Sequence, residues 1–214
     1  MLVDTLIKQD EDVIYFFCSR SANDADRQDP KAVLGALIHQ ISLRARGGLP
    51  KCLRDAFDKR QYTRSAKPGL DYDECHEILA GLLNEYTQTT IVIDTPDECS
   101  ESSRGSLIQS LRKYVDKSTT LVRVFVSSRG DRDIVVRFKD FPSTSITGSL
   151  TQSDMERFVE QEVRQGIQYK DLLYGEVSPE LEERIIAELL AKAGGMFLWA
   201  RLQIQLLCQM QTED

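Results

Sequence analysis

The chain has 214 residues, of which 41% are hydrophobic and 29% are charged, and its formal net charge is −7 at neutral pH. A chain of this length and composition can build its own core, as one large domain or as a domain with a small appendage. The negative charge argues against a protein that coats nucleic-acid phosphates, because such a protein needs clustered lysine and arginine. No run approaches the ~18 apolar residues of a membrane span, and the start does not resemble a signal peptide. We therefore expect partners that are neither nucleic acid nor membrane.

Cysteine usage indicates a reducing environment. The five cysteines are odd in number, scattered, and form no C-x-x-C pair, which predicts free thiols and a cytoplasmic protein. Cys75 and His76, with the distant His39, lack the spacing of zinc ligands. The cysteines are Cys18, Cys52, Cys75, Cys99 and Cys208.

Strand and helix patterns alternate along the first 148 residues. The predicted strands are 13–17, 90–94, 121–127 and a weaker one at 144–148. The predicted helices cover 2–9, the stretch after Asp29-Pro30, 49–60, the stripe from Cys75 to Tyr86, and the stripe from Leu107 to Val115. Because β-rich runs and helical stripes follow each other in turn, we expect an α/β fold with a parallel sheet and helices on both faces.

The pattern changes after residue 150, where only helices are indicated. One begins at Thr151, a second begins at Ser178-Pro179, and the apolar run 194–208 forms the third. We therefore expect two domains, an α/β core over 1–148 and a small all-α subdomain over 149–214.

The stretch TIVIDTPDEC, residues 90–99, begins in a predicted buried strand and places acids directly after it. In an open parallel sheet, ligands bind beyond the carboxyl ends of the strands, so Asp94, Asp97 and Glu98 are expected at the binding edge. Mg²⁺ prefers carboxylate oxygens, waters and substrate phosphates, and a neighbouring acid can orient a water for attack on a phosphoryl group. The alternative is that these acids only cap the next helix or face solvent.

The next strand ends in Ser127, Ser128 and Arg129. An arginine at the carboxyl end of a strand, beside an acidic strand end, can contact a terminal phosphate. The alternative for Arg129 is an exposed loop residue, and Arg132 is expected in a solvated turn.

Five segments together resemble the NACHT family, signalling nucleoside triphosphatases of the STAND class of P-loop proteins. They are VIYFFCS, the helix after Asp29-Pro30, IVIDTPDEC, VFVSSRGDRDI and AGGMFLWARLQI. The resemblance is closest to the fungal receptors of innate immunity that carry ankyrin repeats. It implies signal transduction in the cytoplasm, with flanking effector and repeat domains, intact NACHT proteins, or further copies of the chain as partners.

The resemblance also implies roles for single residues and a cofactor set of Mg²⁺ with ATP or GTP. Asp94 takes the Walker B position that holds Mg²⁺ through water, and Asp97 or Glu98 polarises the attacking water. Arg129 takes the position of the sensor arginine on the terminal phosphate. Gly195 and Met196 match a turn that touches the nucleotide base or ribose. Two departures are Pro96, where a leucine is usual, and the Gly-Gly-Met-Phe run, where Gly-x-Pro is usual.

No G-x-x-x-x-G-K-[ST] phosphate loop occurs in the 214 residues, and GGLPKC at 47–52 lacks its spacing. We expect the chain to begin just after that loop and its strand, to bind nucleotide poorly, and to be inactive alone as an enzyme. Three interpretations remain: part of a NACHT switch, a non-catalytic scaffold or regulatory partner, and, ranked last, a metal-dependent nuclease using Asp94, Asp97 and Glu98.

Overall fold

The computed structural model describes residues 2–8, 12–21, 25–45, 48–63 and 69–209. The chain divides into two compact units, Met1–Phe141 and Pro142–Asp214, each described by itself below. The division falls a few residues before the domain boundary expected at 148/149. The first unit contains the sheet, and the second contains helices.

The sheet of the first unit is parallel and has three strands in the order β1-β2-β3. The strands are β1 (Val13–Phe17), β2 (Gln88–Asp94) and β3 (Leu121–Ser127), so the three strands predicted from the apolar runs are confirmed. Phe17 pairs with Asp94, and Asp94 pairs with Ser127, so all three strands end at the same level. Strand β2 lies in the centre and is buried on both faces, which explains its continuous apolar run.

Helices cover both faces of the sheet. On one face, α1 (Leu2–Lys8) packs Val3 against Val13 of β1 and Val92 of β2. On the other face, the core contains Ile14, Ile91 and Ile93 from the strands and apolar side chains from α2, α4 and α5. The remaining helices of the unit are α2 (Pro30–Ser42), α3 (Lys51–Thr63), α4 (Tyr72–Leu83), α5 (Glu101–Lys117) and α6 (Arg132–Phe138).

Local sequence signals fix where α2 and α4 begin. The carboxylate of Asp29 accepts a hydrogen bond from the amide of Lys31, and Pro30 occupies the first turn, as predicted. Asp71 and Glu74 form a capping box at the start of α4, in which each side chain accepts from the other's backbone amide. Each cap contributes about 1 kcal/mol to helix stability.

Two sequence predictions in this region are wrong. Residues 144–148, expected as a strand, form none, because Ile146 is the only large apolar residue of this run and stays 81% exposed. Residues 132–138, expected as a turn at Arg132, form α6. This helix is too short for an apolar stripe, and Ile134 is its one buried residue, so periodicity could not reveal it.

Over its described residues, 142–209, the second unit consists of three helices and a short 3₁₀ turn. They are α7 (Gln152–Gln168), the turn Leu173–Gly175, α8 (Pro179–Ala193) and α9 (Phe197–Leu207). Val159, Val163, Ala193 and Ala200 form the centre of its core, and Phe197 and Trp199 pack against it partly buried. The predicted set of three helices is confirmed. Gly194 and Gly195 adopt left-handed φ angles of 54° and 84°, which lets the chain turn sharply between α8 and α9.

The outer edge of β3 is open within the described residues, since β3 pairs there with β2 alone. The amide of Leu121 donates to the carbonyl of Thr87, and the carbonyl of Ser127 accepts from Thr95. Because alternate amides of a strand point to opposite sides, the amides of Val122, Val124 and Val126 point away from β2. The sheet therefore offers a row of unpaired donors and acceptors along this edge.

Candidate functional site

The acids of the TIVIDTPDEC stretch lie at the carboxyl edge of the sheet, where β2 ends between its two neighbours. The carboxylate of Asp94 accepts a hydrogen bond from the hydroxyl of Ser127 at the end of β3. The carbonyl of Asp94 accepts from the amide of Cys18, just after β1, at 3.0 Å. Asp94 is half-buried at the end of β2.

A left-handed residue turns the chain directly after Asp94. Thr95 has φ 52° and ψ 49°, a conformation that costs a β-branched residue about 1–3 kcal/mol. Two hydrogen bonds hold it: its amide donates to Ser127 at 2.7 Å, and its hydroxyl donates to Cys18 at 2.9 Å. The turn sends the chain into a short 3₁₀ segment, Pro96–Glu98, so that three acids fall at one edge.

Asp97 is only 2% exposed and has a positioning role. Its carboxylate accepts the backbone amide of Arg129 at 3.2 Å, and its carbonyl accepts the guanidinium groups of Arg20 at 2.8 Å and Arg104 at 3.1 Å. The carboxylate of Asp97 therefore joins the loop after β3 to the acidic turn, and its carbonyl joins the loop after β1 to the same turn.

Glu98 is more accessible than Asp97. One oxygen of its carboxylate accepts the backbone amide of Arg20 at 2.6 Å, and the other lies 3.8 Å from the guanidinium of Arg129. The side chain is thus oriented by the loop after β1 while it keeps contact with solvent.

Arg129 lies beside both acids with its head group in water. Its side chain is 78% exposed, and its guanidinium lies 3.9 Å from Asp97 and 3.8 Å from Glu98, beyond direct hydrogen-bond distance. Ion pairs at this distance and exposure contribute little to stability. The guanidinium can therefore turn toward an anion without breaking a hydrogen bond to these two acids.

Arg104 on α5 is buried and contacts both the acidic turn and the loop after β3. Its guanidinium donates to Asp131 at 3.0 Å and pairs through two bonds with Asp133, one of them 2.8 Å long. The contact lowers the pKa of Asp133 below its ordinary value. Because Arg104 also holds the carbonyl of Asp97, it ties α5, the acidic turn and the loop after β3 together.

Sequence reasoning predicted the cluster of Asp94, Asp97, Glu98 and Arg129 at one edge, and the structure brings these four residues together. It missed Arg104 and Arg20. Arg104 had a signal, because it is a charged residue on the apolar face that α5 forms with Leu107, Ile108 and Leu111. Arg20 had no such signal. It contacts Glu98 through its backbone amide and Asp97 through its guanidinium, and Asp97 lies 77 residues away in sequence.

The acids at this edge fit a hydrated Mg²⁺ ion but do not fit a metal ion that is coordinated mainly by protein side chains. No group of three or more His, Cys, Asp or Glu side chains is arranged to hold a metal ion among the described residues. A metal coordinated mainly by protein therefore does not fit this edge. Mg²⁺ that keeps its waters and needs one or two carboxylates does fit, with Asp94 as the residue at the strand end.

Gly195 and Met196 lie in the second unit. Gly195 packs so closely that a Cβ on it would meet the Cα of Gly148 at 3.3 Å, and Met196 is 56% exposed. Both are described only within that unit, so their nucleotide contact stays a prediction.

Comparison with known proteins places the chain in a family. Residues 1–129, more than half of the chain, match the nephrocystin 3 N-terminal family, and the chain belongs to that family. The matched region contains the whole sheet, the acidic turn and Arg129. This family is a different one from NACHT, the family that five segments of the sequence resemble.

Neither the curated proteins nor the solved structures contain a match to this chain. Of the helices that the structure describes, none has the length and hydropathy needed to cross a membrane.

Proposed function

We propose that this chain contains the Mg²⁺-binding and phosphate-sensing edge of a nucleotide-dependent signalling switch of the NACHT type. The observation that supports the proposal most is the meeting of Asp94, Glu98 and Arg129 at the carboxyl edge of a parallel sheet. Ligands of open parallel sheets bind at this edge, and phosphoryl transfer needs a metal carboxylate, a water-orienting acid and a cation there.

Each residue takes a separate part. Asp94 is the residue that would hold Mg²⁺, and the hydroxyl of Ser127 fixes its carboxylate. Glu98 polarises the attacking water, because it is oriented and accessible, whereas the buried carboxylate of Asp97 already accepts the amide of Arg129. Arg129 contacts the terminal phosphate with its exposed guanidinium. The base or ribose contact of Gly195 and Met196 is implied by the resemblance alone and stays a prediction.

The phosphate cradle is the remaining requirement, and the 214 residues contain no such loop. Charge-assisted hydrogen bonds from a cradle contribute about 1.5–3 kcal/mol each. Three of them amount to about 5–9 kcal/mol, or roughly 10³ to 10⁶ in affinity. A carboxylate that holds Mg²⁺ through water cannot replace this contribution, so the 214 residues alone bind ATP or GTP weakly.

The proposed switch acts in the cytoplasm. Its proposed partners are flanking effector and repeat domains or intact relatives of the same type. A second candidate function is a scaffold or regulatory module without catalysis. The open outer edge of β3 favours it, because such an edge can pair with a strand of another chain.

The test uses the chain extended at its N-terminus by a strand and a G-x-x-x-x-G-K-[ST] loop. Glu98→Gln should keep nucleotide binding and lower the hydrolysis rate by about 10²- to 10⁴-fold, the usual contribution of a general base. Glu101→Gln, a change of an exposed acid three residues further on, is the matched control and should leave the rate unchanged. An extended chain that folds and binds no nucleotide would overturn the switch and favour the scaffold.

A further inference from the structure

An alternating run of hydroxyl side chains opens the second unit. Serine or threonine occupies every second position from 143 to 153, and residues 142–153 contain no charged side chain. Residues 142–150 are all exposed and form neither helix nor strand, although such alternation is also typical of a strand. The run therefore presents a series of hydroxyls to solvent, and these hydroxyls have no part in the proposed nucleotide site.

Acids follow the last two hydroxyls of the run. Thr151 has Asp154 at the third position after it, and Ser153 has Asp154 directly after it and Glu156 at the third position. Ser153 and Asp154 are exposed, and Glu156 is partly exposed while its carboxylate accepts from the side chain of Gln152 at 3.1 Å. Two hydroxyls thus lie immediately before an accessible pair of carboxylates.

The other hydroxyls of the run lack these acids. The third position after each of them is uncharged, so an enzyme that reads acids at this spacing distinguishes them from Thr151 and Ser153. They therefore serve as controls within the same exposed segment. These five residues are Ser143, Thr144, Ser145, Thr147 and Ser149.

The spacing of hydroxyl and acid matches what a class of protein kinases recognises. A kinase that selects acidic segments places basic side chains beyond its catalytic centre, where they form charge-assisted hydrogen bonds to carboxylates that follow the acceptor hydroxyl. Binding in this way requires an acceptor segment that can leave the protein surface. Residues 142–150 meet this requirement, and Ser153 lies in the first turn of α7, where helices fray.

We propose that Thr151 and Ser153 are a phosphorylation site for a protein kinase that selects acidic segments. The hydroxyl oxygen attacks the γ-phosphorus of the ATP that the kinase binds, the bond from this phosphorus to the β,γ-bridging oxygen breaks, and ADP leaves. The hydroxyl proton passes to a base of the kinase. The phosphate ester brings a charge of about −1.5 to −2 into a run that has none.

The phosphate also changes the start of α7, which has no side-chain cap. Thr151 precedes the helix without capping it, and its hydroxyl donates to the carbonyl of Gly148 at 3.4 Å instead. The first amides of a helix have no carbonyl partner within the helix, and the helix dipole favours negative charge there. A phosphate on Thr151 accepts from these amides as a capping side chain does, so phosphorylation strengthens the start of α7.

The first experiment incubates the folded 214-residue chain with casein kinase II, Mg²⁺ and ATP, and locates the phosphate by mass spectrometry. We expect phosphate on Ser153 and Thr151 and none on the five control hydroxyls. The same spacing to an acid occurs at Ser21, Thr95 and Ser128, so the position of the phosphate decides the result. An unmodified chain, or phosphate confined to those three residues, would overturn the proposal.

Acid variants separate recognition from accessibility. Glu156→Gln should slow phosphorylation of Ser153 about 10- to 100-fold, the value of one charge-assisted contact, and affect Thr151 less, because Thr151 keeps Asp154. Asp154→Asn should slow both reactions. Glu183→Gln, a change of an exposed acid on α8, is the matched control and should alter neither rate. If Ser153 reacts equally fast in Glu156→Gln and Glu183→Gln, the kinase does not read these acids and the proposal fails.

Hydrogen exchange measures the effect on α7. The amides of residues 152–154 should exchange about fivefold more slowly in the chain phosphorylated on Thr151, the value of one helix cap. The amides at the start of α8 are the control, because the hydroxyl of Ser178 already caps that helix by accepting from Leu181. Unchanged exchange at 152–154 in the phosphorylated chain would contradict the capping role.

Discussion

Arg104 joins three segments of the first unit through one buried guanidinium. We expect Arg104→Leu to lower the free energy of unfolding by about 3 kcal/mol. The change removes the hydrogen bonds that the guanidinium donates to Asp131, Asp133 and the carbonyl of Asp97. The value lies at the low end for buried pairs, since the side chains of Asp131 and Asp133 remain 40% and 36% exposed.

Urea unfolding followed by circular dichroism measures this loss. Arg132→Leu is the matched control, because Arg132 lies between the same two acids and is exposed. It should change stability by less than about 0.5 kcal/mol. Equal effects of the two changes would show that Arg104 does not anchor the turn.

The contact between His76 and Tyr114 makes the stability of the first unit depend on pH. The imidazole hydrogen-bonds to the hydroxyl of Tyr114 at 2.8 Å, and partial burial lowers the pKa of His76 below its ordinary value of 6.5. Lys113 and Lys117 act in the same direction, while Asp73 and Glu77 oppose them.

Because the unfolded chain then takes up the proton first, the stability that neutral His76 contributes is present above about pH 6.5 and is lost as the pH falls below it. We expect the urea midpoint to decrease between pH 7.5 and pH 5.5, and to decrease less in His76→Gln. A variant with the same pH slope as the unchanged chain would contradict this account.

At the residue scale, the sequence predicted which acids meet but not how each is used. An Asp-x-x-Asp-Glu spacing after a buried strand indicates an acidic edge whatever the turn geometry. The difference between buried Asp97 and accessible Glu98 depends on the left-handed Thr95 and on the Arg129 amide. Neither feature leaves a periodic signal in the sequence.

At the scale of elements, β2 is paired on both sides, and the outer edge of β3 is open within the described residues. We expect the amides of Val124 and Val126 to exchange with solvent faster than those of Ile91 and Ile93, because the first two point away from β2 and the second two pair with β3. Hydrogen exchange of a dilute, monomeric sample measures the contrast. Equal protection of all four amides would mean that another strand covers the edge.

Helix and strand positions were predictable where the apolar pattern is long. The stripe of α4 and the β-branched run of β2 each bury a continuous set of side chains, which fixes their type. The expected strand at 144–148 failed because a single exposed isoleucine cannot bury a sheet face. Helix α6 was missed because it is held by the pairing of Asp131 and Asp133 with Arg104, a contact between distant segments.

At the scale of the whole molecule, the α/β unit and the helical unit are each recognisable from the change of pattern near residue 150. The family match covers the first of them, over residues 1–129. The proposed switch needs a phosphate loop in addition to Asp94, Glu98 and Arg129, so nucleotide affinity is the property that decides the proposal.

The most direct measurement is calorimetric titration of ATP or GTP in Mg²⁺ into the 214-residue chain and into the chain extended by a strand and phosphate loop. We expect no measurable binding by the first and Mg²⁺-dependent binding by the second. Asp94→Asn should then weaken binding about 10- to 100-fold, the value of one charge-assisted contact. Asp116→Asn, a change of an exposed acid on α5, should have no effect. Tight binding by the 214-residue chain, or equal affinities of Asp94→Asn and Asp116→Asn, would contradict the account.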